Sequence, residues 1–406
     1  MEIDIQTLVK IAAYIGGGMA IGFGAIGAAL GEGYAAAEED MAISERPERS
    51  SDVVRNMLIG QAVAESAAIF SLVVAVLLIF LTPKDPTIVT AAALVAAGAC
   101  MGLGALGSGL GSGFPAGETC TAIVKARDPK ALSSMTTVML IAQAVCQTPA
   151  ILAMVIALML MFVGFGGPDP AKAVGLLGAG LCMGFGAIGS GAGSGLPGGA
   201  ACRGIGRQPE AQGVLTTNML IGAAVCQTPA IFAMVIALIL MFVNMGDVPF
   251  NPYWAAFLGA GLSTGLAAIG SGYGGGMVAG ACCEGIARNP KTVGVVTTTM
   301  LVGQAVAQSP VIFGLLISFI LLFKVHPEAV AIAPGMALLA AGICMGLGAI
   351  GPGLGSGIAA TSAVSWVARN IENAGLLMRM MLVAQAVTQS TAIYSMVIAL
   401  VLLFVI

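Results

Sequence analysis

The stretch Gln61-Ala62-Val63-Ala64-Glu65-Ser66 places one carboxylate inside an apolar run from Met57 to Leu81. A carboxylate held at the depth of a bilayer core costs about 2.5 kcal/mol or more, so its default reading is functional. The same pattern returns four more times, and where the first copy has Glu65 the others have Gln147, Gln227, Gln308 and Gln389. Those positions are 82, 80, 81 and 81 residues apart, which defines five tandem units. The expected bounds are 1–83, 84–166, 167–246, 247–325 and 326–406, with the ion-carrying carboxylate in the first.

Each unit holds two long apolar segments, which gives ten candidate transmembrane helices in five hairpins. Composition agrees. The 406 residues are 58% hydrophobic and 9% charged with a mean hydropathy of +1.00, against about 25% charged in soluble domains. A net charge of -3 with dispersed basic residues excludes a nucleic-acid surface. Few aromatics and 58 glycines favour closely packed helices over a β-barrel with aromatic girdles. The fold class expected is all-α membrane, with the hairpins assembling into a ring. The N-terminus lacks the basic region of a cleavable signal, so residues 1 to 406 read as mature protein. Cys100, Cys182 and Cys344 recur at one repeat position and read as small packing residues, not ligands or disulfides.

The first helix of each unit is glycine-rich, from Gly22 to Gly33 and again at Gly102 to Gly113, Gly184 to Gly195, Gly265 to Gly276 and Gly346 to Gly357. Such spacing lets backbones approach. A phosphate-cradling loop would need a preceding strand and a following Lys-Ser/Thr, which are missing. Polar turns close the hairpins at Arg46-Pro47, Arg127-Asp128-Pro129, Arg207-Gln208-Pro209, Arg288-Asn289-Pro290 and Arg369-Asn370-Ile371. Twelve of the sixteen basic residues lie in or near these turns, leaving Lys10, Lys84, Lys172 and Lys324 at the other side. By the positive-inside rule the turns are cytoplasmic and both termini face out.

Glu32 lies fourteen residues before Arg46 and Glu65 fourteen after Ser51, so both sit about 21 Å from the turn at about 1.5 Å per residue. Two level carboxylates in a dry site cannot both stay ionised without a cation. They either share a proton or bind a metal ion. Ser66 adds a hydroxyl, Val63 a carbonyl if its oxygen can leave the helix ladder, and Gln61 sits one turn before Glu65 to steady the site. Oxygen-only ligation suits a hard cation, Na+ or H+ as hydronium. A structural carboxyl pair is the plainer reading. Glu38, Glu39, Asp40, Glu118 and Glu284 read as solvated helix ends, and His326 as a loop residue.

The glycine-rich first helix, the Arg-x-Pro turn and the second-helix carboxylate resemble the proteolipid c subunit of rotary F-type ATP synthases, over essentially the whole chain. Gly31-Glu32-Gly33-Tyr34 and Gly60 through Ser66 are similar to its sodium-binding branch. The resemblance implies a membrane rotor ring in which Glu65, Glu32, Val63 and Ser66 ligate Na+ with help from a neighbouring hairpin. It further implies a stator partner bearing an arginine, central-stalk partners contacted at Arg46, Arg127, Arg207, Arg288 and Arg369, surrounding lipid, catalysis on other chains of the complex, and a bacterial inner membrane. No cofactor is expected beyond the transported Na+ or H+. Neutral Gln147, Gln227, Gln308 and Gln389 cannot ionise, so one carrier per five hairpins is expected, with a low ion-to-ATP ratio suited to ATP-driven pumping. Alternatives are a ring mixed with single-hairpin subunits, a V-type-like proteolipid, or a structural membrane ring with a vestigial ion site.

Overall fold

A computed structural model describes residues 4–80, 83, 85–126, 131–165, 169–243, 252–324 and 331–405. Among the described residues there is no strand, and ten helical spans are long and apolar enough to cross a membrane. The chain is an all-α, multi-pass membrane protein.

The glycine-rich helices come first in every unit: α1 (Ile5–Glu45), α4 (Ile88–Lys125), α6 (Pro170–Arg207), α9 (Trp254–Arg288) and α12 (Ile332–Arg369). They pack side by side in chain order, each on the next, as one inner layer. The cause is the missing side chains. A Cβ on Gly109 would come 2.6 Å from the Ala28 nitrogen, and Gly191, Gly272 and Gly353 would meet Ser108, Ser190 and Ser271 at 2.7, 2.6 and 2.6 Å. Backbones therefore touch at one repeated place along the layer, where any larger residue would force the helices apart.

The second helices form an outer layer. They are α5 (Ala131–Phe162) and α13 (Ala374–Phe404), and the broken pairs α2 (Ser50–Ala64) with α3 (Ser66–Phe80), α7 (Gln212–Cys226) with α8 (Thr228–Phe242), and α10 (Val293–Ala307) with α11 (Ser309–Phe323). The breaks fall at Glu65, Gln227 and Gln308. Each outer helix of the first four units lies on its own inner helix and on that of the following unit. α13 has no following unit and packs chiefly on α12, so only 17% of its apolar window is buried. Among the described residues no interface joins α1 to α12, which leaves the row open at both ends.

Within a hairpin, thiols and hydroxyls tie the layers. Cys100 and Cys182 donate to the carbonyls of Ala153 and Ala233 at 3.3 and 3.4 Å, and Ser263, at the matching position, donates to Gly314 at 2.9 Å. These cysteines are packed, and they also satisfy outer-helix carbonyls. The hairpin turns share one geometry: short 3-10 turns at Pro47–Arg49, Pro209–Ala211, Pro290–Thr292 and Ile371–Asn373. Ile371 keeps it without proline, because Asn370 holds the same preceding conformation (φ -138°, ψ 83°) as Gln208 (φ -139°, ψ 83°). The second turn, with Arg127 and Pro129, lies outside the described residues, as does His326.

Candidate functional site: a row of amide bridges and one carboxylate

The four glutamines at the Glu65 position do the same thing. Each donates its side-chain Nε2 hydrogen to a valine carbonyl of the preceding unit: Gln147 to Val63 at 3.2 Å, Gln227 to Val145 at 2.7 Å, Gln308 to Val225 at 2.6 Å and Gln389 to Val306 at 2.5 Å. A carbonyl oxygen can only accept, so the partner fixes which end of each amide faces it. Gln147 reaches the Ser112 hydroxyl as well, at 3.0 Å.

An α-helix normally uses each carbonyl for the N–H four residues on, so a second acceptor role needs a reason. Proline supplies it in three cases. Pro149, Pro229 and Pro310 stand four residues after Val145, Val225 and Val306 and have no N–H to give. The freed carbonyls are the ones with the three shortest amide bonds. Val63 is followed at that distance by Ala67, which keeps its N–H, and there the bond is longest.

A second set of amides lies one turn earlier. Gln143 donates to Gly60 of the preceding unit at 2.7 Å and to Ser112 of its own inner helix at 3.0 Å. Gln304 repeats this with Gly222 and Gly275 at 3.0 and 2.9 Å, and Gln385 with Gly303 and Ser356 at 2.9 and 3.1 Å. Ala223 stands at this position in the third unit.

The first unit differs at each point. Gln61 donates to the Glu32 backbone carbonyl at 3.1 Å, the bond to its own inner helix, and makes no second bond among the described residues. The Glu32 and Glu65 carboxylates are near enough for their charges to repel. Neither side chain, nor the Ser66 hydroxyl, has a hydrogen-bond partner among the described residues. Glu65 is exposed, Glu32 and Ser66 half-buried. Glu32, Glu65 and Gln61 are thus brought together. Val63 is not with them: its oxygen faces the second unit and serves Gln147. The direction of that contact follows from which unit's inner helix lies beside which outer helix, and single-unit spacing carries no information about it.

Glu118 and Glu284 are also placed differently from the solvated ends expected of them. Glu118 has a side chain 13% exposed, accepts from the Tyr34 hydroxyl at 3.0 Å and pairs with Arg203, so one carboxylate links three inner helices. Glu284 pairs with Arg288 at 2.5 Å and with Arg207 at 4.0 Å. Both bring Arg-bearing segments of neighbouring units together near the hairpin turns. Arg369 stacks on Trp366 at 4.8 Å instead. The signal was present as complementary charge one unit apart.

Tandem helical hairpins, backed by a glycine-lined inner layer and carrying polar side chains at one level of the outer layer, define a repeat-built membrane protein with one ionisable site. The family of ATP synthase C subunits matches at residues 15–78, 95–160, 177–240, 258–321 and 339–402, once per hairpin, and the chain belongs to that family. Among ATP synthase c subunits, that of Natranaerobius thermophilus is 44% identical over 81 residues, 20% of this chain and 93% of its own length. Those of Petrotoga mobilis (54% over 68 residues, 17% of this chain and 71% of the relative) and Thermotoga maritima (46% over 79 residues, 18% and 93%) are similar as well. Each relative has about the length of one unit.

Proposed function

We propose that this chain is a rotor-ring subunit of an ATP synthase or ATPase that carries one cation, Na+ or H+, per five hairpins. Glu65 is the carrier, with Glu32 and Ser66 beside it and Gln61 holding the two helices in register. The observation that carries this reading is the contrast at one repeat position between the Glu65 carboxylate, unpartnered among the described residues, and four amides that already donate to a neighbour's carbonyl. An N–H directed at a carbonyl oxygen stands where a cation would otherwise be bound. The glutamine units are therefore permanently neutral and occupied, and ring closure at those units leaves no buried charge.

In this mechanism Glu65 loads an ion from one access path, travels neutralised through lipid, and releases it opposite an arginine of a stator partner. The Arg-bearing turns face the cytoplasm and the central stalk, and other chains of the complex hold the catalytic sites. Oxygen ligands and the paired carboxylates favour Na+. Ions per turn follow the number of carboxylates, so the ion-to-ATP ratio is low and pumping against a steep gradient is favoured. Ion flux per ATP hydrolysed in proteoliposomes tests this: the ratio expected is one ion per five hairpins, and one ion per hairpin overturns it.

A further inference from the structure

Proline does not account for where the outer helices break. α2 and α3 part at Glu65, where the residue two further on is Ala67, whereas α5 runs unbroken past Gln147 with Pro149 at that same place. A proline acts by removing an N–H from the helix ladder. The breaks therefore need a cause shared by Glu65, Gln227 and Gln308 and missing at Gln147 and Gln389. At all three the backbone has turned toward a tighter helix: ψ is -23° at Glu65, -12° at Gln227 and -9° at Gln308, against about -42° in a regular α-helix. Around the two glutamines the ladder shortens to bonds three residues back, from Gln227 to Ala224 at 3.3 Å and from Val311 to Gln308 at 3.2 Å.

The shared cause lies in the following unit. α2 receives two amides from it, Gln143 on the Gly60 carbonyl and Gln147 on that of Val63. α7 receives Gln304 on Gly222 and Gln308 on Val225, and α10 receives Gln385 on Gly303 and Gln389 on Val306. α5 receives only Gln227 on Val145, because Ala223 stands where the second amide would be, and α13 has no following unit. Two amides accompany a break in three helices, and one or none accompanies a continuous helix in two. Side chains inserted into the carbonyl ladder are a known origin of helix kinks, since each draws an oxygen away from the N–H four residues on. Glycine supplies the first carbonyl in the three broken helices, and Ala142 and Ala384 stand there in the continuous ones.

We propose that Gln143 and Gln147 of the second unit are positioning residues for Glu65: together they break the carrier helix at that residue and set the backbone from which its carboxylate is presented. This role rests on the reading of Glu65 as the carrier and adds what places it. The hairpin after the carrier acts on a working carboxylate, whereas the fourth and fifth hairpins do the same to the neutral Gln227 and Gln308. Glu32 on α1 is the titratable neighbour whose charge bears on Glu65. From the second unit, α4 and α5 present Ser112, Gln143 and Gln147 at this level, all neutral. Removing one of these amides therefore changes geometry and leaves the charge around Glu65 as it was.

The variant Gln143→Ala copies the alanine that the third unit has at Ala223. In the purified complex it is expected to make the first outer helix continuous through Glu65. It is also expected to move the pH of half-maximal carbodiimide labelling at Glu65 by about one unit, a tenfold change in proton affinity. Gln304→Ala removes the same kind of amide from the helix of Gln227 and is expected to leave that midpoint unchanged. A midpoint unmoved by Gln143→Ala, or moved equally by Gln304→Ala, overturns the positioning role. The reverse exchange keeps the test decisive if Gln143→Ala does not assemble. Ala142→Gly/Ala223→Gln gives α5 its second amide and is expected to break it at Gln147, read from helix geometry by electron cryomicroscopy, while Ala142→Gly alone leaves α5 continuous. A continuous α5 in the double variant, or a break with the glycine alone, overturns the cause assigned to the breaks. If Glu65 of the unmodified complex takes no label at any pH, the carrier reading beneath this role fails instead.

Discussion

The first and second units are built on the same hairpin, yet their polar centres are in opposite states. In the second, Gln147 and Gln143 each bond to the unit before and to their own inner helix, and both side chains are buried. In the first, Gln61 makes only the inward bond, and Glu65 and Glu32 have no partner among the described residues. One substitution class separates them. An amide can satisfy a neighbour's carbonyl permanently, whereas a carboxylate and a carbonyl repel until a cation or proton lies between them. The second unit is closed by its own amide hydrogens, and the first leaves both carboxylates without a partner among the described residues.

The contrast between the two units is erased most completely at Glu65. Glu65→Gln is expected to convert the first unit into a fifth amide bridge, abolishing ion transport and carbodiimide labelling in reconstituted complex while the ring still assembles. Loss of the ring along with transport would show that Glu65 is structural. The inner layer comes next in size. Gly191→Val places side-chain atoms against the Ser108 backbone, and overpacking of this kind costs about 1–3 kcal/mol or more, read as a lower thermal midpoint of the detergent-solubilised chain. Gly33→Val, on the open face of α1, is expected to leave the isolated chain unchanged and to impair assembly only.

Smaller effects belong to the outer layer. Gln147→Leu leaves the Ser112 hydroxyl without its donor and is expected to destabilise by about 1–3 kcal/mol, with no change in ion flux per ATP in complex that assembles. Pro229→Ala restores an N–H to the helix that competes with Gln308 for the Val225 carbonyl. Its expected effect is the smallest, about 0.5–1.5 kcal/mol, visible as faster backbone hydrogen exchange around Gln308.

Much of this was legible in the sequence. The period of about 81, the hairpin turns and the replacement of Glu65 by glutamine follow from residue spacing alone, because hydrophobic length and helix breaking are local properties. The glycine positions also pointed to close inner packing, which the backbone contacts at Gly109, Gly191, Gly272 and Gly353 bear out. What spacing could not supply was direction between units. Val63 reads as a partner of Glu65 when one unit is considered, and becomes a partner of Gln147 once α2 lies against the second unit. Glu118 was hidden for the same reason, since Tyr34 and Arg203 reach it from adjacent units. The prolines four residues after three of the valines were a readable sign of freed carbonyls, and the missing prolines at Ala67 and Thr391 mark the two units that border the open ends.

The backbone contacts of the inner layer have a mechanical consequence. Side chains between helices act as small springs, since each can change rotamer under load; where Gly109 meets Ala28 and Gly353 meets Ser271 there are none on the glycine side. For a rotating ring, push applied at one outer helix would then pass along the row through peptide planes almost undamped. Four amide-bridged hairpins between carriers would behave as a rigid lever, and the compliance that smooths a long step between ions would have to reside in the outer helices and the shaft they turn.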